Sequence, residues 1–315
     1  MIVDIAFIII GLVTLIVGGE FLVKGAVGIA AKAHLSTLVI GMTVVSFGTS
    51  APELLVSLKA AYLDAPEIAI GNVIGSNIAN IALVLGLTVI IFPMPVSRNS
   101  LVFDWPMMML SGILFYLFSL NFVISRWEGA VLFLLLVVFV YLLIRNSRKK
   151  NKTIKSNADS SGSEVVSKFN IWKSLLFLSI GLLGLYFGAR WLIDGAKNLG
   201  EAVGLSKHVI AITIIAFGTS VPELVTSVVA AYRKEMDISV GNLIGSNIFN
   251  TMLVIGIVAL VQPISIEESV VNWDMLWMLA VFLVLLPMMW YKRKIGRISG
   301  MILLSAYILY IYLLF

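Results

Sequence analysis

Of 315 residues, 60% are apolar and only 12% are charged; a mean hydropathy of +1.05 excludes a soluble globular chain and indicates a polytopic membrane protein. Cysteine is absent, which removes disulfides, thiolate metal sites and cysteine nucleophiles. The net charge of +5 comes from Lys and Arg clustered beside apolar runs, which the positive-inside rule explains without a nucleic-acid partner.

A membrane-spanning helix needs about 20 apolar residues. The first such run, 5–23, has neither a basic leader nor a convincing cleavage site, and the start of the chain, 1–19, matches 171–189, so the run reads as a retained span. A short basic connection over 24–36 leads into span 2 (37–63). After a proline-containing turn at 64–67 comes span 3 (68–92), closed by Pro93 and Pro95. Spans 4 (101–123) and 5 (129–144) are rich in Leu, Phe and Val and read as scaffold. From 145 to 173 the composition turns to Lys, Arg, Ser and Asn, which predicts a flexible cytoplasmic linker. Spans 6 (174–193), 7 (208–232), 8 (238–261), 9 (275–291) and 10 (298–315) follow. The histidines, His34 and His208, sit beside short polar breaks and read as interfacial.

The chain thus divides into five spans (1–144), a basic linker (145–173) and five more spans (174–315). An odd number of spans per half makes the halves cross the bilayer in opposite directions, the inverted-repeat arrangement of secondary transporters. With the linker cytoplasmic and both termini outside, most Lys and Arg fall in inside loops, while Asp4, Asp64, Glu67, Glu128, Glu201, Glu267, Glu268 and Asp274 fall outside. The expected fold is therefore an all-α polytopic membrane protein, ten transmembrane helices in two inverted five-helix repeats.

Two motifs repeat at an offset of 170 residues. FGTSAPELLVS (47–57) returns as FGTSVPELVTS (217–227), and GNVIGSNIAN (71–80) returns as GNLIGSNIFN (241–250). Each first motif places a glutamate, Glu53 or Glu223, inside an apolar run. A carboxylate at that depth costs a few to more than ten kcal/mol and marks a functional site by default. Thr49 and Glu53, four residues apart, share a helix face with Ser50 beside them, and Pro52 leaves the Gly48 carbonyl without its helical amide. Asn72, Ser76 and Asn80 form a polar stripe, and Gly71 and Gly75 are expected to admit a neighbouring helix. The second copy supplies Thr219, Ser220, Glu223, Asn242, Ser246 and Asn250. Two carboxylates among many neutral oxygens suit a hard cation such as calcium, and no imidazole or thiolate favours a softer metal. A lone intramembrane Ser usually bonds its own helix and a lone Asn often joins two helices. Paired glutamates beside prolines, at a constant offset, resist that structural reading. Glu20, whose repeat equivalent is Arg190, reads as interfacial.

With these doubled motifs, the whole chain resembles the sodium/calcium exchanger family of the cation/calcium antiporter superfamily, in its compact prokaryotic form. The resemblance implies a ten-helix exchanger with spans 2, 3, 7 and 8 as the ion-binding core and long, tilted spans 1 and 6 that slide against it. It implies that Glu53 and Glu223 hold calcium with the backbone carbonyls of Thr49 and Thr219. Carbonyls of Ser46 and Ala216 and hydroxyls of Ser50, Ser220, Ser76 and Ser246 would serve sodium, with Asn80 and Asn250 at the middle of the cluster. Some relatives carry Asp where this chain has Asn250, which leaves only two carboxylates here. The implied activity is exchange of sodium for calcium by alternating access at the cell membrane, by a monomer needing no cofactor, with net charge moved. The alternative within the superfamily is a proton-coupled calcium antiporter. An intramembrane enzyme is disfavoured, since no H-E-x-x-H occurs and no histidine base sits within a span. A passive channel would lack the need for a counter-ion.

Overall fold

The computed structural model describes residues 2–63, 65–156, 170–202 and 216–314. The described chain is helical almost throughout. Its helices are α1 (Ile2–Ala33), α2 (Thr37–Thr49), α3 (Ala51–Tyr62), α4 (Ile68–Ile91), α5 (Ser100–Ser119) and α6 (Arg126–Ser156). After the linker come α7 (Ile171–Ala202), α8 (Ala216–Thr219), α9 (Val221–Tyr232), α10 (Met236–Val261), α11 (Val270–Arg293) and α12 (Arg297–Leu313). Seven of the described helices are long and apolar enough to cross a membrane, and α2 with α3 makes an eighth when taken as one broken span. The protein is an all-α polytopic membrane protein built from inverted repeats.

Several expected boundaries move, for physical reasons. The basic connection predicted over 24–36 is not a loop: α1 continues to Ala33. Apolar windows find the lipid-matched part of a helix, whereas Lys24 and Lys32 are good helix formers that let it run on. At 1.5 Å per residue its 32 residues exceed the roughly 30 Å hydrocarbon thickness, so α1 must tilt or protrude. It stops at His34, which takes a left-handed φ of 56°, and Ser36 caps α2 by accepting the Val39 amide at 3.3 Å. The predicted flexible linker is also partly helical: α6 runs to Ser156, because 145–156 holds no Pro or Gly, and α7 starts at Ile171. Residues 157–169 lie outside the described residues, as do His208 and the first turns of predicted span 7.

Two compact units can be distinguished, each drawn from both halves of the chain. The first comprises Met1–Thr49 and Phe139–Asn242, the second Ser50–Val138 and Leu243–Phe315. In the first, α1 and α7 run antiparallel on glycine. Gly11, Gly18 and Gly25 recur every seven residues, as do their repeat equivalents Gly181, Gly188 and Gly195. A Cβ on Gly11 would sit 2.7 Å from Leu192 N, one on Gly25 2.5 Å from Leu178 N, and one on Gly181 2.4 Å from Leu22 N. The backbones are therefore in direct contact, and a side chain at these positions has nowhere to go. Leu15, Leu22, Leu178, Leu185 and Val229 fill the core around that seam. Glu20 is more than interfacial: it accepts Arg233 Nε at 2.9 Å and also Arg233 Nη2, tying α1 to the end of α9, while Lys24 lies 3.7 Å away.

In the second unit α4 packs on α12 where Gly86 meets Gly300, and α6 packs on α10 where Gly129 meets Gly256. Trp105 on α5 donates its indole N–H to the Phe282 carbonyl of α11 at 2.8 Å. Two short antiparallel ladders, unexpected from sequence, pair β1 (Met94–Pro95) with β4 (Lys294–Ile295) and β2 (Val123–Ile124) with β3 (Ile264–Ser265). Since β1 is equivalent to β3 at an offset of 170 residues and β2 to β4 at an offset of 171, each ladder joins one half of the chain to the other.

Candidate ion-binding site

Both GTS-x-P-E segments break their helix at the serine. Ser50 (φ −86°, ψ 1°) and Ser220 (φ −90°, ψ 1°) leave the helical region, and the helix restarts with Pro52 or Pro222 in its first turn. The prolines cannot donate to the preceding turn, so a break there is the least costly geometry. Each break frees main-chain carbonyls at membrane depth, where only protein, water or an ion can satisfy them. The second motif bends differently. Asn80 and Asn250 lie in wide i→i+5 turns, Ala79–Leu85 and Asn250–Val254, a helical irregularity that frequently marks functional sites.

Within the second unit, α3, α4 and the Asn250 turn of α10 pack on one another. Glu53, Ser50, Asn80, Ser246 and Asn250 are each 0% exposed there, and Ser76 is 3% exposed. The Ser76 hydroxyl faces Glu53. Among the described residues, no hydrogen bond of ordinary geometry reaches either carboxylate oxygen of Glu53, the Ser50 hydroxyl, or the side-chain polar atoms of Asn80 and Asn250. Buried polar groups are otherwise almost always paired, and a buried charge needs a counter-charge. Such an oxygen-rich set has the chemistry that a hard cation takes.

The first unit holds the other part of the motif set. Glu223 and Ser220 are buried in α9 and at its start, and Thr219 is half-buried at the end of α8. Ala216 opens α8. Ser46 and Thr49 of α2 are buried and engaged: Ser46 Oγ donates to the Gly41 carbonyl at 2.8 Å and the Asn242 carbonyl at 3.0 Å, and Thr49 Oγ1 donates to Asn242 Oδ1 at 3.2 Å. Among the described residues no three of His, Cys, Asp and Glu come together.

Sequence reasoning missed the serines that close each first motif. Asn72 Nδ2 donates to Ser57 Oγ at 3.1 Å and to the Glu53 carbonyl at 3.3 Å, and Asn242 Nδ2 donates to Ser227 Oγ at 3.3 Å. The same Asn–Ser bond thus joins the two motifs in each half. The signal was present, because Ser57 and Ser227 share the 170-residue offset. Asn77, also overlooked, donates to Thr251 Oγ1 at 3.0 Å and holds α4 against α10. Among the described residues, a Cβ on Gly71 or Gly75 would meet nothing within 4 Å. A Cβ on Gly241, the equivalent of Gly71, would lie 2.6 Å from the Leu38 carbonyl. By the 170-residue offset Leu38 corresponds to His208, which lies outside the described residues.

The family model for the sodium/calcium exchanger protein matches this chain twice, over residues 3–145 and 173–315. The chain belongs to that family. It is accordingly a secondary-active cation antiporter that works by alternating access, and not an enzyme. It is 36% identical to an uncharacterized membrane protein of Methanocaldococcus jannaschii, with 98% of this chain and 97% of that protein covered. It is 31% identical to the sodium/calcium exchanger MaX1 of Methanosarcina acetivorans, with 99% of each covered. Among solved structures, the sodium-calcium exchanger NCX_Mj soaked with zero Na+ and Ca2+ matches at a TM-score of 0.84 and 35% identity, covering 100% of this chain and 99% of that one.

Proposed function

We propose that this antiporter exchanges sodium for calcium, with Glu53 and Glu223 as the carboxylates that hold calcium and the carbonyls of Thr49 and Thr219 as further ligands. Carbonyls of Ser46 and Ala216 and hydroxyls of Ser50, Ser220, Ser76 and Ser246 serve sodium, with Asn80 and Asn250 completing the cluster. The observation that carries this reading is Glu53, fully buried, with no hydrogen bond of ordinary geometry to either carboxylate oxygen among the described residues, in a cluster with the Ser50 hydroxyl and the Asn80 and Asn250 amides, which are in the same condition. Two carboxylates neutralise one calcium, which is a hard cation that takes six to eight oxygens. About three sodium ions on the same two charges leave a net positive charge, so the cycle carries charge across the membrane. The empty carboxylate pair resists crossing the apolar barrier, and this resistance couples the two ions. The glycine seam makes α1 and α7 one body, suited to sliding as a pair.

The protein acts as a monomer in the plasma membrane, each five-helix half (1–144 and 174–315) contributing one copy of the motifs, with the linker cytoplasmic and both termini outside. The test is calcium-45 uptake into proteoliposomes clamped with valinomycin and potassium. Uptake that requires internal sodium supports the exchange. Uptake driven by a pH gradient alone would instead make the protein proton-coupled.

A further inference from the structure

The Asn242 side chain bonds to two other helices, and nothing in the exchange cycle gives it a role. It lies on α10, is 0% exposed, and touches two other helices through three groups. Its Oδ1 accepts the Thr49 hydroxyl of α2 at 3.2 Å, its Nδ2 donates to Ser227 of α9 at 3.3 Å, and its carbonyl accepts the Ser46 hydroxyl of α2 at 3.0 Å. Ser227 is fixed in turn, since its own carbonyl accepts the Ser239 hydroxyl at 2.9 Å. Ser46, Thr49, Ser227 and Ser239 are all at most 1% exposed. Thr49 is the last residue of α2 before the helix breaks at Ser50. Its hydroxyl lies 3.2 Å from the Asn242 amide oxygen of another helix and 3.4 Å from the Ser46 carbonyl of its own.

We infer that Asn242 is a positioning residue for the cation site: by fixing Thr49 from the side, it sets the direction of the main-chain carbonyls at the helix break. The amide suits this task because it accepts at one end and donates at the other, so its two partners lock its orientation. A leucine of similar size preserves packing and loses both bonds. This inference rests on the reading of Thr49 as a ligand-bearing residue. Its consequence is a change in apparent cation affinity and not in the amount of folded protein.

The test is a double-mutant cycle on full-length protein in proteoliposomes, with Asn242→Leu, Thr49→Val and the pair, plus Ser227→Ala and Thr49→Ser. Each is read by the external calcium giving half-maximal uptake and, separately, by the calcium concentration giving half-maximal thermal stabilisation in detergent. Loss of a buried hydrogen bond predicts a rise of about tenfold in both midpoints for Asn242→Leu and Thr49→Val. The double variant should be little worse than either single one. Ser227→Ala should shift the midpoints in the same direction by less, and Thr49→Ser, which keeps a hydroxyl, should recover most of the loss seen in Thr49→Val. Unchanged midpoints with only a lower maximal rate, or single effects that simply add, would overturn the assignment. If Asn242→Leu does not fold, the cycle between Thr49→Val and Ser227→Ala carries the same test, because both reach Asn242. Wild-type vesicles that take up calcium without internal sodium would refute the exchange reading, while the calcium midpoints would still decide the role of Asn242.

Discussion

Glu53 is a carboxylate at membrane depth whose oxygens are held by no ordinary hydrogen bond among the described residues. Its position is unfavourable unless a cation or proton compensates it. Glu53→Gln keeps the shape and removes the charge. Removing one member of a buried charge pair costs about 3–5 kcal/mol, which is two to three orders of magnitude in affinity. Sodium-driven calcium uptake by this variant should therefore fall to background, while size-exclusion behaviour and thermal midpoint stay near or above those of the wild type. Retained uptake would remove Glu53 from the site. Glu223→Gln should behave alike. Both glutamates were legible in the sequence, because a charge inside an apolar run needs no fold to be noticed. Ser57 and Ser227 were harder to see, since a span serine has a bland explanation until a partner is found across the helix pair.

Among the helices, the glycine seam is a contact that sequence alone does not reveal. A Cβ on Gly181 would lie 2.4 Å from the backbone nitrogen of Leu22, and backbone does not yield as a flexible side chain does. Gly181→Ala should force α1 and α7 apart and cost about 1–3 kcal/mol, seen as a lowered thermal midpoint with reduced transport. The Glu20–Arg233 pair joins α1 to α9 but is 46% exposed on the arginine side, so it is screened by solvent. Glu20→Gln should shift stability by no more than about 1 kcal/mol in a chemical or thermal melt. Helix boundaries were only partly legible because hydropathy reports where lipid ends, whereas the helix of α1 ends where the chain turns left-handed at His34.

For the whole molecule, the charge of the site sets the response to voltage. If about three sodium ions leave as one calcium enters, one net positive charge moves outward, worth about 2.3 kcal/mol per 100 mV. Calcium uptake by sodium-loaded vesicles should accelerate when valinomycin makes the interior positive and slow when it is negative; voltage independence would exclude that stoichiometry. The amino-acid sequence by itself determined the class of molecule: the apolar runs, the 170-residue repeat, the inverted halves, and the paired glutamates beside prolines are all properties of residue order. Only the tertiary structure decided that Gly181 packs on the backbone of Leu22, that β1 pairs with β4 and β2 with β3, and that Asn242 grips Thr49. The physical reason is that a helix apolar on every side carries no stripe to say which face meets a neighbour. Those contacts join residues far apart along the chain, and a local pattern holds no record of them.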